Sequence, residues 1–439
     1  MPTMTLLPDS GTHSHEQTTT GPLVARTVPL PLALAHDLLA VMPSAPAGDL
    51  VSWVRRGEGF VGWGRVASIH TSGPARFSEA EAWWQRLVAT AQVHNAVGLP
   101  GTGPIALGSF SYSADSAAGA TLIVPEVVVG RRGDQAWVST LGIGSVPEIP
   151  ALKADEPEQP IGVRFADGAR SSPEWASVVR AAVARITAGE LDKVVLARDL
   201  EVRTDSPLDV RWLLARLGER YENTWVFSVD GLIGATPELL VRLDKGLVHS
   251  RVLAGTIRRT GDDEHDLALA ASLARSSKDL EEHEYAVRSV ADALRTHCYS
   301  MNVPEAPFVL HLTNVMHLAT DVAGVLGDRT TSLTLAASLH PSAAVCGTPT
   351  ARADAVIAEI EGMDRGRYAG PVGWMDADGD GEWGIALRCG SVGAADPATM
   401  RIYAGCGIVA GSDPEAEVAE SDAKFVPMRD ALTAPPLQH

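Results

Sequence analysis

The sequence predicts an α+β fold of largely antiparallel sheets, and three observations carry that prediction. Strand-like and helix-like stretches come in clusters rather than in strict alternation, which argues against a doubly wound parallel sheet. The β-branched run DKVVLARDLEVRT (192–204) and the apolar run LIVPEVVVG (122–130) read as strands, whereas the segments following Ser172 and around 279–297 repeat their apolar residues at helical spacing. No repeat with a period of about 20–50 residues is present, which excludes solenoid and propeller arrays.

The chain has 439 residues. Its opening stretch, MPTMTLLPDSGTHSHEQTTT, has neither the basic start nor the apolar core of a signal peptide, and residues 1–21 are expected to form a disordered tail. Residues 22–150, rich in Ala, Gly, Val and Trp, are expected to be an N-terminal, strand-rich part of the fold with few polar residues able to do chemistry. The segment SVPEIPALKADEPEQPIG (145–162) carries four prolines and cannot continue a helix or strand, so it leads as a linker into a catalytic part spanning 151–435.

In that part Ser172-Pro173-Glu174 opens a helix, with serine as the cap and proline in the first turn. Val178, Val179, Ala182, Val183 and Ile186 give the helix an apolar face, and Gly189 ends it. After the strand at 192–204 come a helix at 207–219 and strands around 224–229, 231–235, 239–243 and 247–252. Helices are expected at 263–275 and 279–297, the second carrying Tyr285, Val287, Val290, Ala291 and Leu294. A strand at 307–315, helices at 331–339 and 350–361, a hairpin around 371–392, a strand at 400–404 and a helix over 414–432 complete the series.

Composition narrows the class of partner. Lysine and arginine number 36 against 54 acidic residues, a formal charge of −18 with a pI near 5.1. That balance excludes a nucleic-acid backbone or an anionic membrane surface as the main partner. The 45% hydrophobic share is that of a globular protein. No run of about 18 apolar residues occurs, and the most apolar early run, 29–43, is broken by prolines, His36 and Asp37. Cys298, Cys346, Cys389 and Cys406 form no CxxC pair and no Cys/His cluster, so they read as buried thiols of a cytoplasmic protein rather than as zinc ligands or disulfide partners.

Some motifs point nowhere. Asp376, Asp378 and Asp380 in MDADGDGEWG imitate the start of a calcium loop, but the bidentate carboxylate that such a loop requires falls on Leu387, and Asp-Gly supplies a hairpin turn instead. Gly405-Cys406-Gly407 lacks the third glycine of a dinucleotide fingerprint. His13 and His15, in the polar tail, have no further ligands beside them.

Other residues carry chemistry. Asp279 and Glu282 lie three positions apart on one expected helix, and Glu417 and Glu420 lie three apart on another, with Lys424 one turn further on. Each pair alone is an ordinary solvated helix surface, whereas two converging pairs of oxygen ligands suit magnesium. Lys193 and Arg198 share an apolar strand, and a lysine facing a closed cavity can shed its proton and act as a base. Glu238 begins another apolar strand. His317, Tyr368 and Arg388 are polar residues in apolar contexts, and the fork of Arg388 fits a carboxylate.

The motifs DKVVLARD, GATPELLVRL, LAGTIRR, SSKDLEEHEYAV, NVMHLATDVAG, LHPSAAVCGTPT, DRGRYAGPVGW, GIALRC, YAGCGIV and EAEVAESDAK occur in this order across residues 165–432. Together they resemble the chorismate-utilising enzymes, which include isochorismate, salicylate, aminodeoxychorismate and anthranilate synthases. The resemblance implies a single large α+β domain of two stacked, mostly antiparallel sheets, with outer helices and a central cleft holding a magnesium-dependent site. It implies Glu282 and Glu420 as direct ligands of Mg2+, with Asp279 and Glu417 as water-bridged companions. It also implies Lys193 as general base and Glu238 as general acid. His317, Tyr368, Arg388, Lys424 and the backbone amides around Gly405 and Gly407 match the groups that hold the substrate's carboxylates and ring, and Gly255 and Gly347 match close-packed positions of the pocket wall.

Single positions choose among the members. Anthranilate synthases resemble the chain at Ala254 but carry glutamine where Lys193 stands, and aminodeoxychorismate synthases carry a nucleophilic lysine where Ala254 stands. Salicylate synthases share the lysine base but tend to have threonine in place of Ala344, a position of the substrate pocket. The stretch HPSAAVCGTPT is most similar to isochorismate synthases, especially those that feed catecholate siderophores. The resemblance therefore implies conversion of chorismate to isochorismate, in siderophore or menaquinone synthesis. Lys193 would take a proton from water attacking C2, and Glu238 would give one to the departing C4 hydroxyl. Salicylate synthase, which adds pyruvate elimination, and a non-catalytic chorismate-binding homologue are the rival readings. No glutamine amidotransferase partner is expected, and the chain is expected to be a monomer.

Overall fold

In the computed structural model, which describes residues 15–16, 21–153, 155–311 and 315–435, the strands gather into two sheets, one of eleven strands and one of thirteen. Pairing among the described residues is antiparallel apart from Leu23–Leu30 with Gln92–Asn95. The α+β class expected from the sequence is the class observed. Both sheets take strands from early and late in the chain: Ile105–Phe110 pairs with Pro371–Asp376 in the eleven-stranded sheet, and Leu50–Arg55 pairs with Trp225–Val229 in the thirteen-stranded one. Phe60, Phe110, Phe227 and Trp383 belong to one core shared by the two sheets.

Helices cover the sheets through their apolar faces. Val210–Arg220 and Pro414–Thr433 lay Leu213, Leu217, Phe425 and Met428 against Ile233 and Ile402 of the thirteen-stranded sheet. Ser277–Arg295 buries Ala286, Val287, Val290 and Leu294 and packs on the strands Leu247–Arg258 and Val315–Leu326 of the other sheet. No helix among the described residues is long and apolar enough to cross a membrane.

Several local expectations are corrected. The cap of Ser172–Thr187 is Ser171, not Ser172: the Glu174 carboxylate reaches back three residues and accepts from the Ser171 amide at 2.8 Å, so the capping-box spacing selects the earlier serine. The strand expected at 307–315 is two strands, Phe308–His311 and Val315–Leu326, with residues 312–314 outside the described ones. The longer of the two is paired on both sides and largely buried, which erases the alternation that would betray it. The hairpin expected over 371–392 closes at Ile385. Residues 386–388 then leave the eleven-stranded sheet, and Cys389–Val392 enters the other between Leu232–Thr236 and Thr399–Ile408. In the tail, His15–Glu16 pairs with Ala67–Thr71, and residues 1–14 and 17–20 lie outside the described ones.

The strand Lys193–Arg203 needs special provision. Thr399–Ile408 pairs along one edge of it, while among the described residues the other edge meets only Gly347–Thr348 at 193–194 and Arg164–Asp167 at 200–203. The gap between these is completed from elsewhere in the chain. The Val195 amide donates to the Cys346 carbonyl at 2.8 Å and the Ala197 amide to Glu361 Oε2 at 2.7 Å. Arg365 Nη2 donates to the Val195 carbonyl at 2.7 Å and Trp175 Nε1 to the Ala197 carbonyl at 2.9 Å. Glu361 and Arg365 grip one another through two bonds of 2.7 and 2.6 Å and are 2% and 3% exposed.

An Arg365→Met substitution strips a buried carboxylate of its partner and is expected to cost about 3–5 kcal/mol of folding free energy, while the Glu361→Gln/Arg365→Met double change costs less. Urea unfolding of the two variants checks this; equal losses in both would assign the contribution to shape rather than charge.

Candidate active site

A cavity of about 270 Å³ lies where the strand Lys193–Arg203 of one sheet faces the head of Leu239–Asp244 in the other. Each wall has its own source. The thirteen-stranded sheet supplies Lys193, Gly405 and Gly407, and the eleven-stranded sheet supplies Gly255 and His317, with Glu238 at the entry to one of its strands. Asp279 comes from the first turn of Ser277–Arg295, and Glu417, Glu420 and Lys424 come from Pro414–Thr433. Ala344, Tyr368 and Arg388 enter from loops. The cavity thus collects the expected site residues apart from two. The side chain of Glu282 lies outside the described residues, and Gly347 packs beneath the site rather than lining it.

Gly347 and Gly407 are glycines because backbone and lysine approach them closely. A Cβ on Gly347, whose φ is +141°, would stand 2.2 Å from the Lys193 carbonyl oxygen, so a side chain there would push the strand bearing Lys193 off its neighbour. A Cβ on Gly407 would come within 2.9 Å of Lys193 Cε, so the lysine stem passes over bare backbone. Arg388 holds φ +48°, a left-handed conformation costly for arginine, at the point where the chain changes sheets. Arg198 is not part of the site: 3% exposed, it joins Ser172 and Ser421 at 2.9 and 3.0 Å and ties two helices to the strand.

Burial in this cavity favours neutral forms. It pushes the Glu238 carboxyl up to about 7 against the opposing pull of Lys193 and Arg388. It pushes the His317 imidazole down to about 3, helped by Arg388 and Lys424 and opposed by a hydrogen bond with the Gly255 backbone and by Glu420. At neutral pH the histidine is therefore uncharged, and the carboxyl of Glu238 is shared between its protonated and ionised forms.

The acids of the last helix behave differently. Partial burial works against the Glu420 carboxylate, yet Lys424 Nζ at 2.6 Å holds it below its usual range. Lys424 also donates to the Gly405 carbonyl at 2.8 Å. Glu417 Oε1 accepts from Ser412 Oγ at 2.7 Å. Among the described residues, ligand atoms of Cys406, Glu417 and Glu420 lie within 4.8 Å of one another. Burial pushes the Cys406 thiol up to about 12, so the carboxylate oxygens of Glu417 and Glu420, with Asp279 lining the same cavity, are the donors on offer. That set fits a hard divalent cation.

Sequence reasoning passed over Arg365 and Ser412, which also line the cavity. Ser412 stands just before Asp413, the N-cap of the last helix, and that helix-start pattern was a readable signal; nothing local marks Arg365.

Comparison with known proteins adds an independent line. A family profile described as chorismate binding enzyme matches residues 12–433. The chain is 37% identical over 342 residues to isochorismate synthase DhbC of Bacillus subtilis, covering 75% of this chain and 81% of that protein. It is 31% identical over 410 residues to the salicylate biosynthesis isochorismate synthase of Pseudomonas aeruginosa, covering 87% and 84% respectively. Among solved structures, MenF, the menaquinone-specific isochorismate synthase of Escherichia coli, shares the fold with a TM-score of 0.77 at 24% identity, over 94% of this chain and 96% of that one.

The raised Glu238 carboxyl has a stability consequence. The folded chain keeps a proton there that the unfolded chain releases near 4.5, so this group lowers stability as pH rises from 4.5 to about 7 and adds no further slope above that. Glu238→Gln is expected to flatten this part of the profile. Chemical denaturation of both proteins from pH 4.5 to 8 measures it, and parallel profiles would contradict the assignment.

Proposed function

The chain belongs to the chorismate-binding enzymes, and we propose on that footing that it is an isochorismate synthase, an isomerase that moves the hydroxyl of chorismate from C4 to C2. The observation that carries the reading is a carboxyl pushed up to about 7 in the same small cavity as a lysine from the facing sheet. One group able to donate a proton and another able to accept one, held in the walls of a common cavity, is what addition of water with loss of hydroxide requires.

In this reading Lys193 takes a proton from the water that attacks C2, and Glu238 gives its proton to the hydroxyl leaving C4 as the ring double bonds shift. The stem of Lys193 is fixed across Gly407, so its amine is held against one wall. Arg388 and Lys424, with the amides near Gly405 and Gly407, receive the substrate's two carboxylates, and Tyr368, stacked on Tyr403 with ring centres 5.1 Å apart, forms a rigid side of the pocket. Neutral His317 offers a hydrogen bond without adding a charge.

Asp279, Glu282, Glu417 and Glu420 would hold Mg2+, which when bound neutralises a substrate carboxylate and orients the ring. Ala344, small and at the cavity wall, supports release of isochorismate rather than further elimination, and the relatives reported above carry the name isochorismate synthase. A role in the cytoplasm as a monomer that takes no ammonia from a glutamine amidotransferase completes the proposal.

Incubation with chorismate and Mg2+ is expected to yield isochorismate without pyruvate, read by chromatography and a lactate dehydrogenase coupling. Accumulating pyruvate and salicylate would favour the rival synthase. Lys193→Ala and Glu238→Gln should each lower kcat about 10²–10⁴-fold while the folded state persists. Removal of divalent cations with EDTA should abolish turnover, and added Mg2+ should restore it.

A further inference from the structure

The loop between the strand Thr399–Ile408 and the helix Pro414–Thr433 turns on Ser412, through both its backbone and its hydroxyl. The Ser412 amide donates to the Val409 carbonyl at 3.0 Å, and the Val409 amide donates back to Ser412 Oγ at 3.2 Å. With one lone pair so engaged, the Ser412 hydroxyl directs its proton to Glu417 Oε1 at 2.7 Å. Two anchors on opposite sides therefore fix the rotamer of this serine, and the serine fixes one oxygen of the carboxylate. Val409 and Ser412 both line the cavity, and Val409 directly follows the strand that carries Gly405 and Gly407. The hydroxyl thus bridges the wall assigned to substrate carboxylates and the helix assigned to the cation.

From this geometry we propose that Ser412 is a positioning residue for the cation site: its hydroxyl holds the Glu417 carboxylate in the orientation that receives a divalent cation. The proposal rests on the reading of Glu417 and Glu420 as cation-binding residues. Glu417 lies in the first turn of its helix, where its backbone amide already bonds the Asp413 carbonyl at 3.0 Å, so the main chain is set and the bond from Ser412 acts on the side-chain torsions. A hydrogen bond to a ligand oxygen, made by a residue that does not itself bind the metal, typically alters metal affinity about 10–100-fold.

The test uses the full chain and Mn2+ as a spectroscopic probe, with binding measured by electron paramagnetic resonance and by calorimetry in the absence of substrate. Ser412→Ala is expected to weaken Mn2+ binding about 10–100-fold, and Ser412→Thr, which keeps the hydroxyl, to restore most of it. In turnover, the alanine change should raise the cation concentration required for half-maximal rate, and the threonine change should return it toward that of the parent. Mn2+ binding by Ser412→Ala equal to that of the parent would overturn the proposal, as would a loss that threonine does not rescue. The two readings fail separately: a parent protein that binds Mn2+ but leaves chorismate unchanged sinks the enzymatic reading alone, whereas a parent that binds no Mn2+ sinks the cation site and this proposal with it.

Discussion

The Lys193–Arg203 strand runs beside the cavity with part of one edge unpaired by any strand among the described residues, and the buried Glu361–Arg365 pair completes it with Trp175 and the Cys346 carbonyl. An open edge in the interior would leave amides and carbonyls without partners, which costs far more than a hydrogen bond contributes when made. A fourth strand along this edge would satisfy the same groups but would close the space that the loop bearing Ala344 and Val345 occupies. Three side chains and the Cys346 carbonyl complete the edge instead. Arg365 reaches the Val345 carbonyl as well, at 2.9 Å, so one guanidinium sets both the strand carrying Lys193 and the loop opposite it. The position of Lys193 thus rests on an ion pair that contacts its strand and the facing loop rather than the lysine side chain.

Desolvation then sets the chemistry. The same burial raises an acid and lowers an imidazole, so one physical cause moves Glu238 and His317 toward their neutral forms. The ion pairs at the cavity's edge join Lys424 to Glu420 and Arg365 to Glu361. This resolves the tension between a chain of net charge −18 and a substrate with two carboxylates. The cavity gathers Lys193, Arg365, Arg388 and Lys424 around Glu238, Asp279, Glu417 and Glu420, and its field follows from these neighbours and not from the molecular total. Net charge describes the surface as a whole; it carries no information about a small anion bound in this cavity.

Much of the fold was legible wherever local periodicity decides. The strand at Lys193–Arg203, the helix Pro414–Thr433 and the acid pairs on helical faces follow from spacing alone. So did the Asp-Gly turn at 376–380, in which Asp376 Oδ1 accepts from the amides of Asp378 and Asp380 at 3.0 Å in place of any calcium loop. The strand Val315–Leu326 was harder, because a strand flanked on both sides shows continuous burial rather than alternation. Arg198 shows the same limit: a cation in an apolar strand can face a site or a helix interface, and only packing, here against Ser172 and Ser421, tells these apart.

What the sequence determined by itself was a set of elements and a set of chemically able residues, since period, capping and residue type act over a few positions. Tertiary structure decided which of those residues meet. It moved Cys389–Val392 from the expected hairpin into the other sheet and so brought Arg388, at the crossing, into the cavity. It gave Gly347 a packing task under Lys193 instead of a place on the wall, and it made Arg365 and Ser412 part of the site. The reason is common to all of them. Each is settled by contact between segments distant in the chain, where the governing quantities are the space left between two sheets and the partners that buried polar groups find there.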